Sequence, residues 1–99
     1  QQISFGKESP PIAKIGLFLK ANSCLVGPAE GVTIGFEGRR VDHEMELGVI
    51  IGRTARQVLR ADALDYVAGY TLALDMTLRG EEDRTFRKSP DSYGVIGPW

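Results

Sequence analysis

Two glutamates stand two residues apart in an otherwise largely apolar segment, residues 41–51, VDHEMELGVII. Because side chains alternate between the two faces of a strand, Glu44 and Glu46 are expected on one face, about 7 Å apart. Like charges on one face disfavour one another unless water, a base or a cation separates them. Carboxylate oxygens are the ligands that Mg²⁺, Mn²⁺ and Ca²⁺ prefer, so the pair is a candidate metal site. The alternative is a solvated strand face.

A third carboxylate ends the next apolar stretch, residues 70–75, YTLALD. In a strand, Thr71, Ala73 and Asp75 share one face, so two small side chains lead up to the acid and leave space over it. This layout favours Asp75 as a further ligand. The competing interpretation is that Asp75 is a helix N-cap, since Glu81 and Glu82 follow it.

Length and composition indicate part of one ordinary globular domain, spanning residues 1–99. The chain has 99 residues, 42% of them hydrophobic and 25% charged, with a net charge of −1. No basic stripe stands clear of acidic neighbours, which argues against a nucleic-acid-binding protein. The chain starts without Met and ends on an apolar segment, so we expect it to be a piece of a longer protein.

The single cysteine, Cys24, excludes an internal disulfide and fits a reducing compartment, so we expect a cytoplasmic protein. No catalytic motif surrounds Cys24, which is interpreted as an ordinary packed residue. No apolar run approaches the ~20 residues that a membrane span needs. Neither a membrane nor a nucleic acid is therefore expected as a partner.

Apolar runs and turn residues predict several strands with one or two short helices, which is typical of an α+β domain. Strands are predicted over residues 15–21, 32–36, 40–51 and 70–75, and a helix over residues 60–69. In the long strand, the face opposite the glutamates is expected to point into the core; it carries Met45, Leu47, Val49 and Ile51.

The order and spacing of six short stretches resemble the fumarylacetoacetate hydrolase family, over about residues 16–99. The stretches are FLK at 18–20, VDHEMELGVIIG at 41–52, ALDYVAGY at 63–70, LDMTLR at 74–79, KS at 88–89 and GPW at 97–99. The resemblance implies a mixed β roll of layered sheets with few short helices, incomplete in this chain. It also implies a homodimer that acts on small 2-oxo acids or β-diketo acids.

The resemblance also implies roles for individual residues. Glu44, Glu46 and Asp75 match the family's three carboxylate ligands for Mg²⁺ or Mn²⁺, with Ca²⁺ possible. Arg79 matches an arginine that contacts the substrate. Lys88 matches a lysine beside the metal that helps to hold the substrate's oxygens and takes part in catalysis.

Such a site could stabilise an enolate, because a 2-oxo acid can chelate a divalent cation that draws charge from its carbonyl. Arg79 and Lys88 would add positive charge where the oxyanion develops. Three reactions fit an enolate: hydrolysis of a C–C bond, decarboxylation and tautomerisation. Two alternatives remain, a catalytically silent metal- or ligand-binding module of the same fold and a plain structural domain.

The general base is the weakest part of the resemblance. Hydrolytic members of the family carry an H-x-x-E arrangement near the start of this domain, and the corresponding residues here are Phe5 to Glu8. Glu8 can stand for the catalytic glutamate, but Phe5 cannot take a proton. The only histidine, His43, is expected on the strand face away from the glutamates, with a structural role favoured over a catalytic one.

Two further positions depart from the family pattern just after Arg79. Gly80 stands where an aspartate is common, and Glu82 stands where a glutamine often binds substrate. A carboxylate at position 82 would bring negative charge to the substrate. We therefore expect either a neutral or cationic substrate tail, or a Glu82 side chain that turns outward.

Overall fold

The computed structural model describes residues 11–98, which form one four-stranded sheet with short helices beside it. The elements are α1 (Ile12–Ile15), a 3-10 helix (Asn22–Cys24), β1 (Leu25–Val26), β2 (Val41–Ile51), a second 3-10 helix (Arg60–Tyr66), β3 (Val67–Leu78), α2 (Arg84–Lys88) and β4 (Gly94–Ile96). The strand order is β1-β4-β3-β2. β3 runs antiparallel to β2 and β4, whereas β1 and β4 are parallel. The prediction of a mixed sheet with few short helices is confirmed.

The two long strands were the best-predicted elements. β2 matches the predicted strand, while β3 extends beyond residues 70–75 at both ends because it pairs with β2 along its whole length. The helix predicted over residues 60–69 is a 3-10 helix that ends at Tyr66. The strands predicted over 15–21 and 32–36 are wrong, because neither apolar run pairs with a neighbour in the described sheet. Short apolar runs do not by themselves establish a strand, and in these two runs Leu17, Leu19 and Ile34 are exposed.

The β2–β3 register gives this part of the sheet two chemically distinct faces. Glu44 lies opposite Asp75, and Glu46 lies opposite Ala73; with Asp42, Thr71 and Thr77 they form what we call the carboxylate face. The other face, which we call the apolar face, carries the side chains of Val41, His43, Met45, Leu47, Val49, Tyr70, Leu72, Leu74, Met76 and Leu78.

The core covers only one end of the apolar face. Met76, Leu78 and Tyr93 are buried together, and Val32, Val41 and Leu74 pack against them. At the other end, Met45, Leu47 and Leu72 are 64%, 67% and 64% exposed.

The prediction that Met45, Leu47, Val49 and Ile51 point into a core is therefore wrong for the part of the chain that the structure describes. Met45, Leu47 and Val49 do share the face opposite the glutamates, and an irregularity of the β2–β3 register separates them from Ile51. No second layer from residues 11–98 reaches them, since the loops that cover the sheet meet only the end near Tyr93. Between residues 11 and 98, no helix has the length and apolar character needed to cross a membrane.

Candidate metal centre

Three carboxylates from two strands converge on the carboxylate face. Glu44 and Glu46 on β2 and Asp75 on β3 each offer an oxygen, and these oxygens lie within 4.8 Å of one another. The antiparallel register produces this cluster, because it places Asp75 opposite Glu44 and diagonal to Glu46. A set of three carboxylates fits a hard divalent cation such as Mn²⁺ or Mg²⁺.

Asp75 lies inside β3 and does not cap a helix. It is 5% exposed and pairs with Glu44 on one side and with Gly94 of β4 on the other. The N-cap of α2 is Asp83, whose Oδ1 accepts a hydrogen bond from the backbone N–H of Thr85 at 2.8 Å. The alternative interpretation of Asp75 as a cap is therefore wrong.

Lys88 ties the carboxylate cluster to α2. Its side chain is buried, and Nζ donates to Glu44 Oε2 at 2.8 Å, to Asp75 Oδ2 at 2.5 Å and to Thr77 Oγ1 at 2.7 Å. These three acceptors match the three N–H donors of an ammonium group. A buried charge is tolerated when it is paired and fully hydrogen-bonded, and Lys88 meets both conditions.

Lys20 is a second lysine at the cluster that sequence reasoning did not single out. Its Nζ donates to Asp75 Oδ1 at 2.6 Å and also to the backbone carbonyl of Lys88. Gly94 leaves space for this approach, because a Cβ there would lie 3.4 Å from Lys20 Cε and 2.6 Å from Leu25 Cδ2. The signal that could have found Lys20 was its place in the stretch FLK at 18–20, which carried part of the family resemblance.

The pKa values of the two glutamates shift in opposite directions, and of the two only Glu44 accepts hydrogen bonds from cationic side chains. Burial would raise the pKa of Glu44, but the hydrogen bonds and charges of Lys88 and Arg79 outweigh it and lower that pKa. Partial desolvation raises the pKa of Glu46, and the negative charge of Asp75 adds to the rise. Of the described residues, none donates a side-chain hydrogen bond to Glu46. Of the three candidate ligands, Glu46 is therefore the one whose charge is least neutralised by hydrogen bonds from described side chains.

Arg79, for which the resemblance implied contact with the substrate, lies beside the cluster and is held by two carboxylates. Its Nε donates to Asp42 Oδ2 at 2.9 Å and its Nη2 to Glu44 Oε1 at 3.0 Å. Arg40 Nε also donates to Asp42, at 2.7 Å. The hydrogen bonds from Arg40 and then Arg79 lower the pKa of Asp42 to about 2. Asp42 is thus a fixed negative charge that orients Arg79.

Glu82 turns away from the carboxylate cluster. Arg39 holds it through two hydrogen bonds, Nη1 to Oε1 at 2.5 Å and Nη2 to Oε2 at 2.8 Å. A Cβ at Gly80 would collide with Arg39 Nη2 and Glu82 Oε2. One ion pair therefore explains both departures from the family pattern after Arg79. Of the two expectations for Glu82, the geometry favours the outward orientation.

A cavity of about 950 Å³ opens over Glu44 and Glu46. His43 belongs to the apolar face but also borders this cavity, since β2 is the edge strand of the sheet formed by residues 11–98. Glu82 does not line the cavity. Phe5 and Glu8 lie outside the described residues, so the assignment of Glu8 as a catalytic residue stays a prediction. The lining consists of Ile15, Phe18, Arg40, Val41, Asp42, His43, Glu44, Met45, Glu46, Arg79, Arg84, Arg87 and Lys88.

Comparison with known proteins identifies relatives of this chain. Residues 1–99 match the family described as fumarylacetoacetate (FAA) hydrolase, C-terminal. A maleylpyruvate hydrolase from Aquipseudomonas alcaligenes is 60% identical over 88 residues, which cover 89% of this chain and 31% of the relative.

Solved structures show the same fold. A maleylpyruvate hydrolase from Sphingobium sp. SYK-6, in complex with manganese(II) and pyruvate, is 47% identical with a TM-score of 0.75, covering 83% of this chain and 30% of its own. A 5-carboxymethyl-2-hydroxymuconate delta-isomerase from Mycobacterium smegmatis is 31% identical, with a TM-score of 0.77. The match covers 83% of this chain and 34% of the isomerase chain.

The chain thus spans about a third of the length of these relatives. The structural likeness confirms the expected fold class, and the match to the family covers every residue of the chain. This chain belongs to the fumarylacetoacetate hydrolase family.

Proposed function

We propose that the whole protein is a divalent-metal-dependent enzyme that acts on 2-oxo acids or β-diketo acids. The observation that carries the proposal is the convergence of Glu44, Glu46 and Asp75, with their oxygens within 4.8 Å of one another. The manganese and pyruvate bound by the Sphingobium relative support both the cation and the 2-oxo acid. Mg²⁺ shares the preference of Mn²⁺ for carboxylate oxygens and is a second candidate.

Glu44, Glu46 and Asp75 would hold the cation, which when bound supplies Lewis acidity toward the keto group of the substrate. Lys88 keeps Glu44 and Asp75 in place by bonding to one oxygen of each. Arg79 lies at the same cavity and supplies a planar guanidinium, which suits a carboxylate or a delocalised diketone. Both cations would favour negative charge that develops on the substrate's oxygens.

Hydrolysis of a C–C bond is the reaction that the comparisons favour. The relative at 60% identity is a hydrolase, whereas the isomerase is 31% identical. Hydrolysis needs a group that removes a proton from water, and we propose Glu8 for this role on the basis of the family pattern. Homodimer formation and a cytoplasmic location remain predictions from the resemblance and from the lone cysteine.

The test is Glu46→Gln in the whole protein. Glu46 lacks a hydrogen-bond donor among the described side chains, so this change removes a ligand charge without breaking an ion pair. Calorimetry should show a loss of Mn²⁺ affinity of at least about tenfold, since the loss of a residue that only supports a metal ligand already has this effect. Turnover of a 2,4-dioxo acid should fall to a matching extent.

The matched control is Glu37→Gln, which changes an exposed glutamate in a loop that does not line the cavity. It should leave Mn²⁺ affinity and turnover unchanged. Unaltered Mn²⁺ binding and turnover in Glu46→Gln would overturn the metal assignment. Tight Mn²⁺ binding without cleavage of 2,4-dioxo acids or decarboxylation of oxaloacetate would instead favour the catalytically silent binding module.

A further inference from the structure

A side-chain clasp joins the start of β2 to the turn that follows β3. Arg39 lies two residues before β2, and Glu82 lies four residues after the end of β3. The Arg39 guanidinium donates to both carboxylate oxygens of Glu82, and its Nη2 also donates to the backbone carbonyl of Arg79 at 2.7 Å. We call this set of hydrogen bonds the Arg39–Glu82 clasp. Two-point contact between a guanidinium and a carboxylate fixes direction as well as distance.

Gly80 makes room for the Arg39–Glu82 clasp. A side chain at position 80 would occupy the space in which Arg39 Nη2 meets Glu82 Oε2. Gly80 does not have a positive φ, so its backbone conformation is open to other residues. The lack of a side chain at position 80 is therefore needed for the approach of Arg39 and not for the path of the chain.

The residues just before β2 hold both backbone groups of Arg79. The N–H of Arg79 donates to the carbonyl of Arg40 at 2.9 Å, while the carbonyl of Arg79 accepts from Arg39. An arginine side chain has considerable rotamer freedom. A fixed main chain restricts where the guanidinium of Arg79 can go, and it so favours the observed hydrogen bonds to Asp42 and Glu44.

The Arg39–Glu82 clasp is attached to the core at one end and to α2 at the other. The backbone N–H of Arg39 donates to the carbonyl of Phe36 at 3.1 Å, and the Phe36 ring lies edge to face with Tyr93, their centroids 6.5 Å apart. Tyr93 is completely buried. At the other end, the carbonyl of Glu82 accepts from Arg87 Nε of α2 at 2.7 Å. The clasp therefore connects two parts of the molecule that are themselves held in place.

The Arg39–Glu82 clasp lies outside the cavity that Arg79 lines. We propose that the clasp positions Arg79 at the cavity, so that Arg39 and Glu82 act on the substrate only through Arg79. This inference rests on the proposed function for the contact between Arg79 and the substrate, whereas the positioning itself does not depend on it. Arg39 and Glu82 are accordingly positioning residues and not catalytic ones. The carboxylate at position 82, which departs from the family pattern, then serves as the partner of Arg39.

The kinetic test compares Arg39→Gln and Arg79→Gln in the whole Mn²⁺-loaded protein, with a 2,4-dioxo acid as substrate. Arg39→Gln should lower kcat/KM about fivefold, which is the upper range for one exposed ion pair. Arg39→Lys should recover part of this loss by returning the charge. In the Arg79→Gln background, Arg39→Gln should lower kcat/KM no further, because a residue that acts through Arg79 has no effect once Arg79 is replaced.

A combined variant separates the positioning of Arg79 from the charge of Glu82. Arg39→Gln alone releases the Glu82 carboxylate, whereas Arg39→Gln with Glu82→Gln removes that charge and should retain the loss of kcat/KM. Recovery of the wild-type kcat/KM in the combined variant would overturn the proposal, as would a further loss in the Arg79→Gln background. The matched control is Arg56→Gln, an exposed arginine that does not line the cavity, which should leave kcat/KM unchanged.

An NMR measurement that needs no turnover tests the positioning directly. Arg79 Nε–H donates to Asp42 Oδ2 at 2.9 Å, so its exchange with water should be slow in the wild type. In the whole protein with ¹⁵N-labelled arginine and diamagnetic Mg²⁺, the Nε–H signal of Arg79 is the one that Arg79→Lys lacks.

Exchange of the Arg79 Nε–H should be about fivefold faster in Arg39→Gln and unchanged in Arg56→Gln. Unchanged exchange in Arg39→Gln would overturn the role of the Arg39–Glu82 clasp, whatever the turnover. Faster exchange in a protein that turns over no 2-oxo or 2,4-dioxo acid would support the clasp and contradict only the proposed function.

Discussion

The two faces of the β2–β3 pair reverse the usual relation between polarity and burial. On the carboxylate face, Asp75 and Thr77 are buried together with Lys88 of α2, which contacts them, whereas on the apolar face Leu47 and Leu72 are exposed. The polar groups can be buried because each finds a charged or hydrogen-bonding partner within the described residues. The apolar side chains need a second layer of matching shape, and residues 11–98 supply one only near Tyr93.

The difference shows that a short stretch of structure can satisfy the hydrogen bonds of a buried polar site, while the same stretch leaves an apolar surface uncovered. Hydrogen bonds and ion pairs are short, so one strand pair and a five-residue helix are enough to satisfy them. Apolar burial scales with area and needs an opposing layer of structure. A change on the carboxylate face should therefore have large local effects, while a change at the open end of the apolar face should have small ones.

The largest expected effect on the carboxylate face comes from Lys88→Met. The change keeps the length of the side chain but leaves Glu44, Asp75 and Thr77 without their shared donor. Removing one partner of a buried pair costs about 3–5 kcal/mol, and urea unfolding of the whole protein measures this loss. Mn²⁺ should restore more stability to Lys88→Met than to the wild type, because the cation would replace the missing positive charge.

Lys14→Met is the control for the loss of a lysine, since Lys14 is exposed and lies in the last turn of α1. Its midpoint in urea should match that of the wild type. If Lys88→Met unfolded at the same urea concentration as Lys14→Met, the buried network would not stabilise the fold.

Leucine truncation compares the covered and open ends of the apolar face. In the 99-residue chain, Leu78→Ala should lower the free energy of unfolding by about 2–5 kcal/mol, since Leu78 is completely buried. Leu72→Ala should cost less than about 1 kcal/mol, because most of that side chain is already in water. Equal losses in urea titrations would contradict the difference in burial between the two ends.

The smallest expected effect is the pH dependence contributed by the pair of Arg39 and Glu82. The hydrogen bond from Arg39 lowers the pKa of Glu82 to about 2 from its usual 4.5. A carboxyl group with a lowered pKa in the folded state stabilises the fold above its unfolded pKa and loses that contribution as the pH falls through the folded value. In Glu82→Gln, the free energy of unfolding should therefore fall less steeply than in the wild type as the pH is lowered from about 4.5 to 2.

Acid titration followed by circular dichroism measures this effect, with Glu81→Gln as the neighbouring control. Because the pair is exposed, the change should be small and should shrink further at high salt. If Glu82→Gln and the wild type lost stability identically as the pH fell, the ion pair would not form in solution.

The features that could be predicted from the sequence are those set by period-two alternation. Alternation placed Glu44 and Glu46 on one face of a strand. It also placed Asp75 on the same face of its own strand as the small residues Thr71 and Ala73. The family resemblance added Arg79 and Lys88, and the structure brings both to the cluster. These inferences succeeded because β2 and β3 are long strands whose alternation is unbroken around the carboxylates.

The features that could not be predicted depend on contacts distant in the sequence. Lys20 meets Asp75 across 55 residues, and no local pattern reports such a contact. The partner of Glu82 is Arg39, 43 residues away, so its outward orientation was only one of two expectations. The exposure of Leu47 has the same origin, because alternation tells which side chains share a face but not whether another layer covers it.

The three hydrogen bonds of Lys88 also bear on how the hairpin chooses its alignment. Glu44 and Asp75 face each other across the ladder, and both accept from the same nitrogen. Sliding β2 by one residue would bring His43 or Met45 opposite Asp75 and turn the acidic side chains to the far side of the sheet. Of these alignments, only the observed one places Glu44 and Asp75 together within reach of the Lys88 ammonium group, so the hydrogen bonds of Lys88 favour this register.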